Sequence, residues 1–277
     1  MTLVLLTGAT RGIGRAAAIE IARRGVEVAL VGRDAERVKA LAREARASGG
    51  GAPVHEHVAD LMLMAEVRAL AEEVRARYGH IDVLANNAGA LFGSRKETSE
   101  GLEQTFALNH LAPFLLTNLL RDRLGGSRVV TTASDAHTGG RLELEDLQSE
   151  KSYAAMRAYG TSKLCNILFT RELAKRAPEL NANCFHPGVV RTGFGKNENG
   201  IWKVLTTLGG PFFRSPERGA RSLVWLALSD DAAALSGEYI QDEKVRAPSA
   251  QAQNDTLAEL LWERSAELAG LSSATRA

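Results

Sequence analysis

The 277-residue sequence predicts a single-domain, doubly wound α/β fold with a mostly parallel seven-stranded sheet and helices on both faces. Three observations predict it: apolar runs of strand length alternate with stretches of helical spacing, those runs are continuously hydrophobic, and a glycine-rich turn joins the first run to the first helical stretch. The strands are expected at 3–7, 26–32, 53–59, 81–86, 127–133, 181–186 and, in shorter form, 238–240. Each of the first six is a run of strand length whose apolar content does not alternate, as burial on both faces requires. Between them, 13–24, 35–48, 65–78, 102–120, 153–177 and 216–229 carry the period and length of helices. Strands separated by helices in this way must be joined by right-handed crossovers. Two regions leave the pattern. Residues 191–215 mix glycines with Phe194, Ile201, Trp202, Leu205, Leu208, Phe212 and Phe213, and read as a lid over a substrate; a tail from 242 to 277 ends in an amphipathic stretch near 256–268.

Composition narrows the function classes. At 45% hydrophobic and 24% charged, the chain fits one globular domain over residues 1–277, without linker, repeat or low-complexity tract. Thirty-four basic against 33 acidic residues leave a formal net charge of +1, so no general attraction to nucleic acid or anionic membrane is expected. Small molecules are the expected partners. Cys165 and Cys184 are too few for a disulfide framework and suit a reducing compartment. The apolar start reaches Gly8 too soon for a signal core, and no later run has the length of a membrane span, so a cytoplasmic location is expected.

The turn Thr7-Gly8-Ala9-Thr10-Arg11-Gly12-Ile13-Gly14 lies between a strand and a helix. There, glycines permit a tight bend and let backbone amides and the helix dipole approach a pyrophosphate. Gly8, Thr10, Arg11, Gly12, Ile13 and Gly14 are thus candidate dinucleotide contacts, with a G-x-x-x-G-x-G spacing distinct from the best-known fingerprint; packing alone is the other reading of the turn. The second strand ends in Gly32-Arg33-Asp34, where the ribose 2′ substituent is read. Arg33, with Arg11 nearby, favours the phosphate of NADP(H); Asp34 keeps NAD(H) open. Asp60, followed by Leu61, is placed to meet the adenine or to cap the next helix.

A phenol and an ammonium four residues apart, Tyr159 and Lys163, share one helix face, where the cation can acidify the phenol. Hydride transfer to a carbonyl carbon leaves alkoxide charge that a proton must meet, and Tyr159 can supply it. An ordinary phenol titrates near pKa 10, so reaching neutrality asks for roughly 4 kcal/mol of differential stabilisation. Upstream lie Asn86-Asn87-Ala88-Gly89 after the fourth strand, Asn109 within a helix and Ser134 at the end of the fifth strand, with Thr131 and Thr132 as its competitors. Only the carboxyl end of a strand faces the crevice where open α/β sheets bind ligands, which favours Ser134.

In this order, the motifs resemble the short-chain dehydrogenase/reductase family over nearly the whole chain, which implies a Rossmann fold and an NAD(P)-linked oxidoreductase. Asn109-His110-Leu111, Ser134-Asp135-Ala136-His137, the run 163–173 and His186-Pro187-Gly188-Val189-Val190-Arg191-Thr192 look like its retinol-dehydrogenase-like branch. The resemblance implies that Tyr159 is the general acid and base, that Lys163 holds the ribose and acidifies the phenol, that Ser134 hydrogen-bonds the substrate oxygen and that Asn109 positions a relay water. It further implies that Asn87, Ala88 and Gly89 flank the nucleotide, that Pro187, Gly188, Val190 and Thr192 meet the nicotinamide end, and that the long helices 102–120 and 153–177 build a homo-oligomer. A carbonyl or alcohol substrate follows, and the apolar lid suggests a lipophilic one. Rival readings are a catalytically silent dinucleotide sensor and a sugar-nucleotide epimerase; the latter needs a larger carboxyl-terminal region than this chain has. His55 and His57 are read as facing opposite sides of the third strand, so no metal is expected. Asp135, His137 and Asp146 have no assigned role.

Overall fold

The computed structural model describes residues 2–190 and 214–271. Most of the expected lid, and Thr192 with it, lies outside the described residues. In chain order the principal elements are β1 (Leu3–Thr7), α1 (Gly12–Arg23), β2 (Glu27–Gly32), α2 (Ala35–Ala47), β3 (Val54–Val58), α3 (Met64–Arg77) and β4 (Val83–Asn86). There follow α4 (Gln104–Phe106), α5 (Ala112–Leu119), β5 (Arg128–Thr132), α6 (Ala155–Arg176), β6 (Asn181–His186), α7 (Pro216–Leu228), β7 (Tyr239–Gln241), β8 (Lys244–Val245) and α8 (Asp255–Leu268).

The strands form one sheet in the order β3-β2-β1-β4-β5-β6-β7-β8. Every pairing is parallel except β7 with β8. The order reverses between β1 and β4, so a crevice opens at the carboxyl ends of these two strands. Period-two alternation sorts the strand side chains: Leu3 and Leu5 join the core under α3, α5, α6 and α8, whereas Val4 and Leu6 join the core under α1, α2 and α7. The first core is rich in aromatics; Phe114 of α5 meets Trp262 of α8 edge-on at 4.9 Å, which fixes the carboxyl-terminal helix against the sheet. Side-chain caps on α2 by Asp34, α7 by Ser215 and α8 by Asn254 satisfy first-turn amides, each worth about 1 kcal/mol. No helix among the described residues is long and apolar enough to cross a membrane.

Three expectations need correction. The sheet has eight strands among the described residues, not seven. The extra one, β8, is two exposed residues returning from β7 through Asp242 and Glu243, whose φ values of 51° and 60° form a tight turn without the glycine that usually announces one. The helix expected at 102–120 is interrupted: α4 gives way to a π turn over Ala107–Leu111, closed by the Ala112 amide on the Ala107 carbonyl, before α5. Last, His55 and His57 lie on the same side of β3, as positions two apart must. Both rings stand edge-on to Tyr78, at 5.5 and 5.7 Å. They serve different partners, His55 bonding Glu27 at 2.6 Å and His57 bonding Glu73 at 2.8 Å.

Candidate active site

The glycine turn closes onto the end of β4. Thr7 carries this junction: its hydroxyl donates to the Ala85 carbonyl and accepts from the amides of Asn87 and Ala88 at 2.9 and 3.1 Å. The Asn87 amide group donates to the carbonyls of Thr7 and Gly8 at 3.1 and 3.2 Å. Glycine is required here. Gly8 holds φ of +63° and a Cβ on it would stand 2.6 Å from the Ala88 Cα, while one on Gly14 would stand 2.2 Å from the Gly8 carbonyl oxygen. Asn87 and Ala88 therefore shape the cradle. Above it, α1 starts without a side-chain cap or an acidic residue in its first turn, so the amides of Gly12, Ile13 and Gly14 are left for an anion. An open helix end behind a turn that tolerates no side chain fits a dinucleotide pyrophosphate. Thr10 packs on Gly32 at the end of β2, and Ile13 packs with Val190 around Gly219 of α7, which draws the end of β6 toward the turn.

Arg33 and Arg11 are exposed and have no carboxylate partner among the described residues. Neighbouring Arg15 and Arg37, by contrast, pair with Glu44 and Asp34. Asp34 spends its carboxylate on the cap of α2 and on Arg37 at 3.1 Å. Asp60 accepts from the Met62 amide at 3.1 Å and stiffens the turn before α3, and the Leu61 side chain is buried in the core.

The chemical end is assembled where β4, β5 and α6 meet. Lys163 is 2% exposed and donates to the Thr132 carbonyl at 2.9 Å; Asn166 donates to the same oxygen at 3.2 Å. Its ammonium nitrogen lies 5.6 Å from the centre of the Tyr159 ring. Burial pulls the lysine down to about 8. Burial also pushes the Tyr159 phenol up to about 12, against the opposing effect of a hydrogen bond with Ser134. In this conformation the ammonium sits by the ring and bonds a strand-end carbonyl, and desolvation is the larger effect on the phenol. Ser134 also accepts from the Ala136 amide at 3.2 Å.

Asn109 falls inside the π turn, the kind of helix irregularity that gathers at functional sites. Its side chain is fully used, donating to the Ala90 carbonyl and the Ser162 hydroxyl and accepting from the Ala90 amide at 2.8 Å. That ties the loop after β4 to α6. Pro113, four residues on, has no amide hydrogen to offer the Asn109 carbonyl. Gly89 lies between these groups: a Cβ there would come within 3.2 Å of the Asn109 amide oxygen and 3.3 Å of the Lys163 nitrogen. Pro187 and Gly188 turn the chain out of β6; Gly188 holds φ of +81°, and the Arg214 side chain lies where its Cβ would be.

Several residues that matter for this geometry were not singled out by sequence reasoning. Gly160 and Gly140 let the short 3₁₀ turn Asp135–Gly139 rest directly on the backbone of α6 beside Tyr159. Arg214 braces Gly188 and pairs twice with Asp242, at 2.5 and 2.9 Å. A glycine directly after the tyrosine was the available signal for the first; nothing local announces the second.

Comparison with known proteins agrees with this arrangement. The family model described as short chain dehydrogenase matches residues 2–200. A Streptomyces sp. (strain C5) protein, provisionally designated a daunorubicin C-13 ketoreductase, is 45% identical over 270 residues, covering 96% of this chain and 92% of its own. Retinol dehydrogenase 12 of Mus musculus is 41% identical over 274 residues, covering 97% and 86%. The crystal structure of an uncharacterized protein of Mycobacterium paratuberculosis superposes with a TM-score of 0.81 at 32% identity, covering 98% and 94%. Solved neighbours at 25–26% identity include NADP and NADPH complexes. With a glycine cradle at the strand crossover and Ser134, Tyr159 and Lys163 gathered beside it, the chain belongs to the short-chain dehydrogenase/reductase family, in its retinol-dehydrogenase-like branch, and is an NAD(P)-dependent oxidoreductase.

Proposed function

We propose that this enzyme is an NADP(H)-linked reductase of lipophilic ketones or aldehydes, or the dehydrogenase of the matching alcohols, with Ser134, Tyr159, Lys163 and Asn109 as its working residues. The single observation that carries the reading is the hydrogen bond between Ser134 and Tyr159 beside a buried lysine, at the mouth of a cradle open to pyrophosphate. Hydride exchange with the substrate carbon is the chemistry the bound nicotinamide supplies. Tyr159 gives the substrate oxygen its proton during reduction, and burial keeps the phenol protonated at neutral pH, the form that reduction consumes. Ser134 hydrogen-bonds the same oxygen once the carbonyl takes the place of the phenol as its partner, and so orients it. Lys163 holds a positive charge beneath the ring and carries the ribose, and Asn109 positions a relay water.

The preference for NADP(H) is supported by Arg11 and Arg33, two guanidiniums at the ribose end without acidic partners among the described residues, and by Asp34 being occupied on α2. A phosphate there gains charge-assisted bonds that a 2′-hydroxyl cannot match. Lipophilic substrates are supported by the daunorubicin and retinol that the relatives' names carry and by an apolar rim, where Met156, one turn before Tyr159, and Val189, after Gly188, are both exposed. The test is a panel of quinones, aryl ketones and long-chain aldehydes followed by NADPH absorbance, with wild type beside Tyr159→Phe. The variant is expected to lose roughly 10²–10⁴-fold in kcat while its NADPH Kd stays within about threefold. Turnover by Tyr159→Phe at the wild-type rate overturns the assignment.

A further inference from the structure

The peptide unit joining Ser134 to Asp135 is held at both polar ends by histidines from different parts of the chain. At one end His137, from the 3₁₀ turn, donates its Nδ1 hydrogen to the Ser134 carbonyl at 2.7 Å, alongside its own backbone amide at 3.0 Å. At the other end the Asp135 amide donates to Nδ1 of His186, the last residue of β6, at 3.1 Å. Both imidazoles are buried, and their far nitrogens are also committed. His137 Nε2 accepts from the Ser249 amide at 3.1 Å, and His186 Nε2 points at the Asp135 carboxylate at 3.3 Å. These partners require opposite tautomers, with the hydrogen on Nδ1 in His137 and on Nε2 in His186. Tyr239 completes the set. Its hydroxyl donates to the other Asp135 carboxylate oxygen at 2.6 Å, and its ring stands edge-on to His137 at 5.2 Å.

We propose that His137 and His186 are positioning residues for Ser134, gripping this one peptide unit so that the hydroxyl is presented to the substrate oxygen. The proposal rests on the role given to Ser134 above. Rotation of the Ser134–Asp135 peptide carries the Ala136 amide away from the Ser134 hydroxyl, which then loses the donor that fixes its oxygen. Neither histidine touches the reacting atoms; each acts through the backbone of its neighbour. Through Ser249, the carboxyl-terminal tail takes part in aligning a residue more than a hundred positions upstream.

The side-chain geometry offers a test. Asparagine places its amide at the position of Nδ1, whereas glutamine places it at that of Nε2, so His137→Asn keeps the bond to Ser134 and His137→Gln keeps only the one to Ser249. With NADPH in excess and the best wild-type substrate of the carbonyl panel, His137→Gln is expected to lose about 10²-fold in kcat, the scale of a 1 Å misplacement, with its NADPH Kd within about twofold of wild type. His137→Asn is expected to restore kcat to within about threefold. Equal kcat in the two variants, or a loss in His137→Gln matched by weaker NADPH binding, overturns the positioning role. Ser134→Ala runs in parallel: if it keeps wild-type kcat, the reading of Ser134 itself fails, an outcome distinct from failure of the histidine clamp.

Discussion

Gly160→Ala isolates the contact that brings Ser134 against Tyr159. A Cβ on Gly160 would stand 2.5 Å from the Ala136 carbonyl oxygen and 3.1 Å from the Gly140 nitrogen. The first distance is about 1 Å inside ordinary van der Waals separation, and every neighbour is backbone, so no side chain can rotate away. The 3₁₀ turn must lift off α6 by about that amount, taking with it the Ala136 amide that holds the Ser134 hydroxyl. A displacement of ~1 Å at a reacting group costs on the order of 10²-fold in rate. Stability moves much less. Overpacking costs about 1–3 kcal/mol, and replacing glycine by alanine within a helix returns about 1 kcal/mol, for a net loss of at most about 2 kcal/mol. The assay is kcat for the best panel substrate, with NADPH Kd by fluorescence titration and Tm by calorimetry. Kcat down on the order of 10²-fold with Kd nearly unchanged is expected. Wild-type kcat in Gly160→Ala would show that the crossing of the 3₁₀ turn and α6 does not set the Ser134–Tyr159 geometry.

Other outcomes follow from the same structure. Lys163 titrates at about 8 when folded and near 10.5 when unfolded, so the unfolded chain binds more protons between those values and stability of the cofactor-free enzyme rises across that window. The penalty below it is about 3 kcal/mol, and urea unfolding should find wild type gaining roughly 2 kcal/mol on Lys163→Met between pH 7.5 and 10; a constant difference rejects this. His110, buried with its Nε2 on Ser265 at 2.8 Å, is held down to about 4 by desolvation. Its contribution is complete above pH 6.5 and is lost as pH falls toward 4, costing about 3 kcal/mol, an acid slope that His110→Gln should lack in the same unfolding assay. Arg33→Ala should raise the NADPH Kd by about 10-fold or more and leave NADH unchanged, the fluorescence signature of a lost charge-assisted phosphate bond; parallel weakening of both cofactors would exclude a 2′-phosphate contact.

Which of these features could be read from the chain depends on how local their physics is. Strands β1, β2 and β4 were readable because a parallel strand covered on both faces is largely apolar, a property carried within four to six residues. The glycine turn and the Tyr159/Lys163 pair were readable because the loop and one helix turn set their geometry. The π turn was hidden because it changes the hydrogen-bond ladder of a helix without changing its apolar pattern; Pro113 is its only trace. Strand β8 was hidden because it is exposed on both residues and its turn has no glycine. The largest gap lay at Asp135 and His137, which meet Tyr239 and Ser249 across 104 and 112 residues of chain. No spacing rule spans that distance, because only folding of the sheet brings the ends of β5, β6 and β7 together. The same separation applies to the surroundings of Lys163 and Tyr159. Helical spacing correctly puts the two on one face, but it says nothing of the Thr132 carbonyl, supplied by another strand, which takes the ammonium. Spacing along the chain thus names the groups that do chemistry, whereas their orientation and protonation are set by residues converging on them from other strand ends.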